Sequence, residues 1–429
     1  MLRLSFAVYA CIAWLLIGGC VPGSSMEEDG RVTIVFKHGK VFGDPRPLER
    51  MLRRFEEMHP AIQVRDEPLP PSTDQQHQIY AINLEGGGEG LDVLAMDVIW
   101  VPEFSRAGWI RPLDEYFSSG AQALFLPNTI QAATYQGRVW SVPWNIDAGV
   151  LFYRKDLLEK HARPPPSTWG EMLDTIRIVL AGEADTGLYG FIWQGRQYEG
   201  LICNALEFIW GNGGEVLAAD ARHATLTMPA TSDALTFMRD LIHRYHVSPE
   251  LILTADEETS RHLFGTGRAL FTRNWPYAWT LFEREGSPVR GKMGLGSLPT
   301  FDGRTPVSTL GGWHLGISRH SKHPEAAWQL IEFLTSSETQ KSMTLATGML
   351  PTQSALYDDT ELLAVQPILR KLRPILAAAR PRPVTPFYPI VSQILQSEFS
   401  AILAQRRPPH IALQSAQRQL ERLLRLDPL

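Results

Sequence analysis

The chain has 429 residues, a length that predicts two or three domains rather than one. Its composition is ordinary for a globular protein, with 44% hydrophobic and 20% charged residues, so a large apolar core is available. The formal net charge of −5 is mild and no block of like charge occurs, which argues against nucleic acid as a partner.

The N-terminus has the pattern of a targeting segment. Arg3 is followed by an apolar run over residues 4–17, which is too short and wrongly flanked for a stable membrane span. The sequence IGGC that ends at Cys20 resembles a bacterial lipobox, in which the cysteine becomes the lipidated first residue. We therefore expect a lipoprotein signal peptide over residues 1–19, a lipid anchor on Cys20 and a flexible tether over residues 20–30. The alternative is an ordinary signal peptide that is cut elsewhere.

Strand and helix patterns alternate over the next part of the chain. Periodicity predicts strands at 31–36, 62–65 and 92–96, separated by helices at 47–59 and 75–84. This order predicts parallel strands with right-handed crossovers. Because ligands bind at the carboxyl ends of such strands, Lys40 and Asp97 stand at candidate positions.

The stretch Ser141–Arg154 (SVPWNIDAGVLFYR) sets two polar residues, Asn145 and Asp147, in apolar company. A buried polar group without a partner costs roughly 1–3 kcal/mol, so both side chains should have partners. One interpretation is a turn between two strands that these side chains satisfy. The other is a cleft in which these side chains bind a hydroxylated ligand.

A second α/β series follows. Thr168 and Glu171 form a T-x-x-E capping box that predicts a helix through Leu180. The proline-rich segment Arg380–Pro389 predicts a connector that cannot be helical. The remaining predicted elements are helices at 197–210, 232–244, 324–335, 337–347 (capped by Ser337-x-x-Gln340), 362–371, 390–404 and 411–426, and strands at 189–193, 269–272, 293–298 and within 307–318.

Tryptophan is frequent, with 12 residues, and several lie near Gly, Pro or Asn rather than in apolar runs. Flat aromatic faces stack on the C–H face of a pyranose, although about half of these residues are expected to fill the core. The chain contains no H-E-x-x-H, C-x-x-C, P-loop or G-x-G-x-x-G after a strand. Metal, redox and nucleotide chemistry are therefore unsupported, and no cofactor is expected.

Several stretches together resemble the extracellular solute-binding proteins of bacterial ABC importers, in the sugar-binding class and its trehalose/maltose-binding branch. Their order and spacing carry the resemblance more than any one of them does. The stretches are Asp92–Leu113, Val142–Asp156, Gly190–Gly200 (GFIWQGRQYEG), Ala269–Trp279 (ALFTRNWPYAW), Gly311–Ser318 (GGWHLGIS) and Arg382–Pro389 (RPVTPFYP).

The resemblance implies an α/β chain with the two-lobed periplasmic-binding-protein type II fold, in which each lobe is a mixed sheet flanked by helices and a hinge joins the lobes. Carried over, the N-terminal lobe comprises 31–145 and 299–346, and the C-terminal lobe 147–296 and 350–429. It further implies a monomeric, lipid-anchored protein outside the cytoplasmic membrane. Such a protein captures an α-glucoside disaccharide or related solute (trehalose, maltose, sucrose or glucosylglycerol) and delivers it to the permease subunits.

The resemblance also implies a set of ligand-binding residues. Carboxylate and amide side chains would bind sugar hydroxyls, aromatic rings would stack on the sugar, the glycines would let backbone N–H groups approach it, and the arginine would fork onto hydroxyls. The set is Lys40, Asp97, Asn145, Asp147, Trp275, Tyr277, Gly311, Gly312, Trp313 and Arg382.

Several of these residues also have a structural interpretation. Asp97 is a candidate helix N-cap for residues 98–107, the aromatic residues are candidates for core packing, and Arg382 is a candidate for a surface salt bridge. Gln194 and Glu199 either contact the ligand or brace the second lobe.

An enzymatic alternative is a glycoside-acting enzyme that uses Asp97 and Asp147 as its carboxylate pair. Neither residue stands in a sequence context that clearly raises its pKa into the range of a general acid. We therefore expect a binding protein rather than an enzyme.

Overall fold

A computed structural model describes residues 30–39, 41, 44–88, 90–183, 187–301 and 303–425. The expected signal peptide, the lipidation site Cys20 and the candidate ligand residue Lys40 lie outside these ranges. None of the helices within them combines the length and the apolar character that crossing a membrane requires.

The strands of the described residues form two main sheets and one small hairpin. The larger sheet has the order β2-β1-β3-β11-β6 and the smaller one the order β10-β7-β9-β8, while β4 pairs only with β5. The strands are β1 (Val32–Gly39), β2 (Ile62–Leu69), β3 (Val93–Asp97), β4 (Thr134–Tyr135), β5 (Arg138–Val139), β6 (Val142–Ala148), β7 (Val150–Arg154), β8 (Tyr189–Ile192), β9 (Ala269–Asn274), β10 (Met293–Gly296) and β11 (Leu310–Ile317).

Helices flank both sheets. Short 3₁₀ turns lie at Val98–Trp100, Glu250–Thr254 and Ser354–Asp358. The α-helices are α1 (Arg46–Met58), α2 (Thr73–Glu85), α3 (Val101–Arg106), α4 (Ser119–Gln122), α5 (Pro127–Ala133), α6 (Lys155–Lys160), α7 (Trp169–Gly182), α8 (Glu199–Gly211), α9 (Pro229–His243), α10 (Glu257–Gly265), α11 (Ala278–Glu283), α12 (Pro324–Thr335), α13 (Ser337–Thr347), α14 (Thr360–Val365), α15 (Leu369–Ala378), α16 (Tyr388–Leu403) and α17 (Pro409–Leu424).

The predicted parallel start of the chain is confirmed. Strand β1 pairs in parallel with both β2 and β3, and the connections α1 and α2 complete two β-α-β units. Strand β11 then enters antiparallel between β3 and β6, so the first sheet is mixed. The second sheet is also mixed, since β8 and β9 are parallel whereas β7 is antiparallel to β9 and β10.

The chain passes from the first sheet to the second between β6 and β7, at Gly149. A Cβ built at Gly149 would lie 1.9 Å from Glu207 Oε1 and 2.5 Å from Arg273 Nη2, so only glycine fits there. A second crossing runs beside it, because Gly149 N donates to Thr309 O and Ser308 Oγ donates to Gly149 O at 2.7 Å. The two crossings are thus bonded to each other where the sheets meet.

Local signals predicted some boundaries well and missed others. The capping box is confirmed, with Glu171 N donating to Thr168 Oγ1 at 3.1 Å at the start of α7. The predicted cap of α13 is wrong by one residue, because the Ser336 side chain, not that of Ser337, accepts from Thr339 N. The connector that was predicted to reach Pro389 ends earlier, because that proline lies in the first turn of α16, where its missing N–H costs no hydrogen bond.

Candidate functional site

Asp97 is the last residue of β3 and has two roles at once. Its Oδ1 accepts from Ile99 N at 3.2 Å and so caps the 3₁₀ turn that follows, as the structural interpretation predicted. The same oxygen accepts from Arg382 Nη2 at 2.7 Å. Oδ2 makes no hydrogen bond with the described residues, so it is the oxygen that this carboxylate can offer to a ligand.

Arg382 links Asp97, at the end of β3, to Glu199, at the start of α8. Its Nη1 donates to Glu199 Oε1 at 2.8 Å, and its side chain is only 2% exposed. The interpretation as a surface salt bridge is therefore wrong, since this ion pair is buried. Arg382 Nε is buried and has no hydrogen-bond partner among the described residues, which leaves one guanidinium donor unused.

Glu199 braces Arg382 from the N-terminus of α8. Its Oε1 also accepts from Tyr388 Oη at 2.8 Å, and its Oε2 accepts from Ser392 Oγ. Burial raises the pKa of Glu199, and Arg382 opposes that shift. Gln194 is fully buried as well, and it bonds to Ser260, Asn204 and Arg273. Both residues therefore have bracing roles within the second half of the chain.

The side chain of Asn145 makes its hydrogen bonds within the protein. Its Oδ1 accepts from Trp313 N at 3.2 Å, and its Nδ2 lies 3.4 Å from Met349 Sδ. Gly312, at φ +127°, pairs with Ile146, and a Cβ there would come within 2.4 Å of Asn145 O. The glycine is thus required for close pairing of β6 and β11 at their bulge.

Asp147 differs from its neighbours because its carboxyl has no hydrogen bond with any described residue. It lies on β6 opposite Gly311 and is partly exposed. Burial raises its pKa to about 7, and Arg273 opposes the shift. The sequence-based expectation that its setting does not raise the pKa is therefore wrong. The expectation that its side chain has a partner is not met by any hydrogen bond among the described residues.

Trp275 and Tyr277 follow strand β9 and are both partly buried. The Tyr277 hydroxyl donates to Glu258 Oε1 at 3.0 Å. A Cβ built at Gly311 would lie 3.0 Å from the Trp275 ring and 3.4 Å from Asp147 Cβ. Gly311 therefore makes room for the Trp275 ring, and both that ring and the side chain of Asp147 lie against it.

Trp313 is a partly exposed ring on β11, in edge-to-face contact with Trp100 at 5.7 Å between centroids. Its backbone pairs with Asp97 on one side and with Asn145 on the other. The register of three strands thus brings Asp97, Trp313 and Asn145 side by side, with Asp147 two residues further along β6. Six predicted ligand residues therefore lie on β11 or on the strands paired with it, namely Asp97, Asn145, Asp147, Gly311, Gly312 and Trp313.

Sequence reasoning missed a buried ion pair beneath this site. Arg273 Nε donates to Glu207 Oε2 at 2.9 Å and Nη2 donates to Oε1 at 2.6 Å, with side chains 1% and 3% exposed. The Arg273 Cζ lies 4.0 Å from the centroid of the Trp275 ring. Glu207 lies between apolar residues of α8, and a buried glutamate is rarely unpaired, which was a signal that a cation had to lie nearby.

Two surface cavities of about 280 and 400 Å³ lie elsewhere. One is lined by α7, α9 and the strand β8, and the other by α6, β10 and the start of α15. No predicted ligand residue lines either of them. Neither cavity is therefore the candidate site, which lies around β11 and the crossings.

The family model for bacterial extracellular solute-binding proteins matches residues 41–341. The chain belongs to this family. A probable ABC transporter-binding protein from Deinococcus radiodurans is 33% identical over 361 residues, which cover 83% of this chain and 85% of that protein. A maltotriose-binding protein from Pyrococcus abyssi is 23% identical over 342 residues, which cover 78% of this chain and 70% of that protein.

Solved structures agree with the architecture. The structure of maltose-bound T. maritima MalE3 superposes with a TM-score of 0.86 at 38% identity, over 91% of this chain and 100% of that one. This solute-binding protein therefore has the two-lobed fold of the periplasmic sugar-binding proteins, with mixed sheets and flanking helices. Its family consists of transport proteins that bind a solute outside the cytoplasm and work with permease subunits.

Proposed function

We propose that this solute-binding protein captures an α-glucoside disaccharide or a related solute in the cleft between its lobes and delivers it to an ABC permease. The candidate solutes are maltose, trehalose, sucrose and glucosylglycerol. We assign 31–145 and 299–346 to one lobe, and 147–296 and 350–429 to the other. We also propose that Lys40 binds the ligand and that Cys20 carries a lipid, and we expect a lipid-anchored monomer.

The observation that carries the proposal is Asp147. It lies on β6, two residues before Gly149, and its carboxyl has no hydrogen bond with a described residue. Asp147 and the ring of Trp275 both lie against Gly311. A polar group in apolar surroundings without a partner is costly, and a ligand hydroxyl removes that cost. A hydroxyl next to a flat aromatic face is the chemistry of a sugar.

Charge supports a neutral ligand. Arg382 is compensated by Asp97 and Glu199, and Arg273 by Glu207, so the cations of the site are matched inside the protein. What remains for a ligand is hydrogen-bonding capacity, at Asp97 Oδ2 and at the Asp147 carboxyl. Charge-assisted hydrogen bonds of this kind contribute roughly 1.5–3 kcal/mol each.

The proposal is tested with Trp275→Ala. Loss of the stacking face should weaken disaccharide binding by about 1.5–3 kcal/mol in calorimetry. Trp279→Ala is the control, since Trp279 lies on α11 and packs against the hydrophobic core around the smaller sheet. Unfolding of Trp275→Ala would assign the ring to the core, and parent-like binding would remove it from the site.

A second function, glycoside cleavage by Asp97 and Asp147, has one observation in its favour. The pKa of Asp147, raised to about 7, suits a general acid. Incubation with a chromogenic α-glucoside separates the two functions, and we expect no release of the chromophore.

A further inference from the structure

The Arg273–Glu207 ion pair lies between the Trp275 ring and both chain crossings. On one side, the guanidinium stacks against the ring, with Cζ 4.0 Å from its centroid. On the other side, Glu207 Oε1 accepts from the backbone N of Thr309 at 3.1 Å. A Cβ at Gly149 would collide with both charged groups, so the first crossing also runs directly over the pair.

The pair is held rigidly. Two hydrogen bonds join the guanidinium and the carboxylate in a fork, and Arg273 Nη1 also approaches Gln194 Oε1 at 3.3 Å. Thr309 is fixed further, since its Oγ1 donates to Cys203 O at 2.9 Å, on the same helix as Glu207. A fork of this kind fixes the plane of the guanidinium, which a lysine ammonium cannot do.

We propose that Arg273 is a positioning residue for ligand binding: with Glu207 it fixes the orientation of the Trp275 ring relative to the two interlobe crossings. The inference rests on the proposed function, in which Trp275 is the stacking face. A ring that is already oriented when the ligand arrives does not lose rotational freedom on binding, and this preorganisation raises affinity. The same contacts tie the ring's position to the segments that move when the lobes close.

The chain contains a matched control for this arrangement. Arg380 forms the same kind of fork with Glu215, at 2.8 and 2.9 Å, and its Cζ lies 4.5 Å from the centroid of the Trp210 ring. This second fork is half-exposed and does not contact Trp275. Removing it takes away an equal charge pair and an equal arginine–tryptophan contact.

The test variant is R273M/E207Q, with R380M/E215Q as its control. Removing both charges leaves no uncompensated buried ion, and the glutamine keeps an acceptor for Thr309 N. The ring is followed by ¹⁹F NMR of protein labelled with 5-fluorotryptophan, in which the Trp275 signal is the one that Trp275→Phe removes. R273K is a second variant, which keeps the charge and lacks the planar stacking group.

We expect the Trp275 signal of ligand-free R273M/E207Q and R273K to shift and broaden, and their affinity for the disaccharide that binds the parent to fall at least tenfold and fivefold, respectively. The control should retain the parent's Trp275 signal and affinity. A parent-like Trp275 signal in R273M/E207Q or in R273K, parent-like affinity in either variant, or an equal loss in the control would overturn the proposal. If the parent binds no sugar, the proposed function fails, whereas the ligand-free signal still decides whether Arg273 positions the ring.

Discussion

Arg382 and Asp97 meet at 2.7 Å, although 285 positions separate them in the chain. Asp97 ends a strand of the first sheet, whereas Arg382 follows α15, whose apolar face belongs to the core of the second sheet. Glu199 binds the same guanidinium from α8. Arg382 is thus a buried cation shared between two carboxylates, one at the end of a strand of the first sheet and one on a helix that packs against the second sheet.

Removing Arg382 should therefore damage both stability and binding. Arg382→Ala leaves Asp97 and Glu199 facing each other without their cation, and breaking a buried pair costs about 3–5 kcal/mol. Arg382→Lys should be nearly as harmful, because an ammonium cannot serve both carboxylates with a planar fork. Urea unfolding measures the stability, and calorimetry should show at least a tenfold loss of sugar affinity.

The control for Arg382 is Arg373→Ala, which removes an exposed ion pair with Asp358. Exposed pairs contribute about 0–1 kcal/mol, so this variant should behave like the parent. Parent-like stability and affinity in both Arg382 variants would show that the buried bridge has no role.

Gly311→Ala tests the close approach of the Trp275 ring to strand β11. The added Cβ would lie 3.0 Å from a ring carbon of Trp275 and would displace that ring. We expect about a tenfold loss of affinity, which corresponds to about 1.4 kcal/mol. Gly296→Ala is the control, because a Cβ at that strand glycine meets no atom within 4 Å. Equal affinities of the two variants would contradict the placement of Trp275 against β11.

Asp147 should make the stability of the ligand-free protein fall as pH rises. Its pKa lies at about 7 in the folded protein, against an ordinary value of 3.8. Between these values the folded state holds a proton that the unfolded state has released, so stability is lost as pH rises from about 4 to about 7. Asp147→Asn removes this dependence and should be closest to the parent near pH 4.

At pH 8 the asparagine variant should be more stable than the parent. One pKa unit corresponds to about 1.4 kcal/mol, and solvent screening reduces the effect, so we expect a difference on the order of 2 kcal/mol. Urea unfolding of both proteins at pH 4 and pH 8 measures it. Burial also raises the pKa of Glu199, but that contribution is common to both proteins and cancels. An equal difference at the two pH values would contradict the apolar setting of Asp147.

Local and periodic features were predictable from the sequence. The Thr168–Glu171 capping box depends on four consecutive residues, and the parallel pairing of β1 with β2 and β3 follows from the β-α-β order. The positions of Asp97 and Asp147 at a strand end and at a crossing were also predictable, because strand ends and polar breaks in apolar runs are visible in the sequence.

Partners that are distant in the chain were not predictable. Glu207 and Arg273 are 66 positions apart, and no local pattern indicates that they meet beneath Trp275. The raised pKa of Asp147 likewise depends on the surroundings that the folded chain builds around it. Gly311 and Gly312 were predicted to admit a ligand, whereas the structure shows what a side chain there would strike, namely Trp275 and the backbone of Asn145.

Calorimetric titration of the unmodified protein with maltose, trehalose, sucrose and glucosylglycerol tests whether it binds an α-glucoside or a related solute. Small-angle scattering on the same samples reports whether the lobes close, because only a ligand that prefers the closed form can drive closure. We expect saturable binding of at least one of these solutes, with a smaller radius of gyration in its presence. Absence of binding for all four, at millimolar concentrations, would contradict the proposed capture of such a solute.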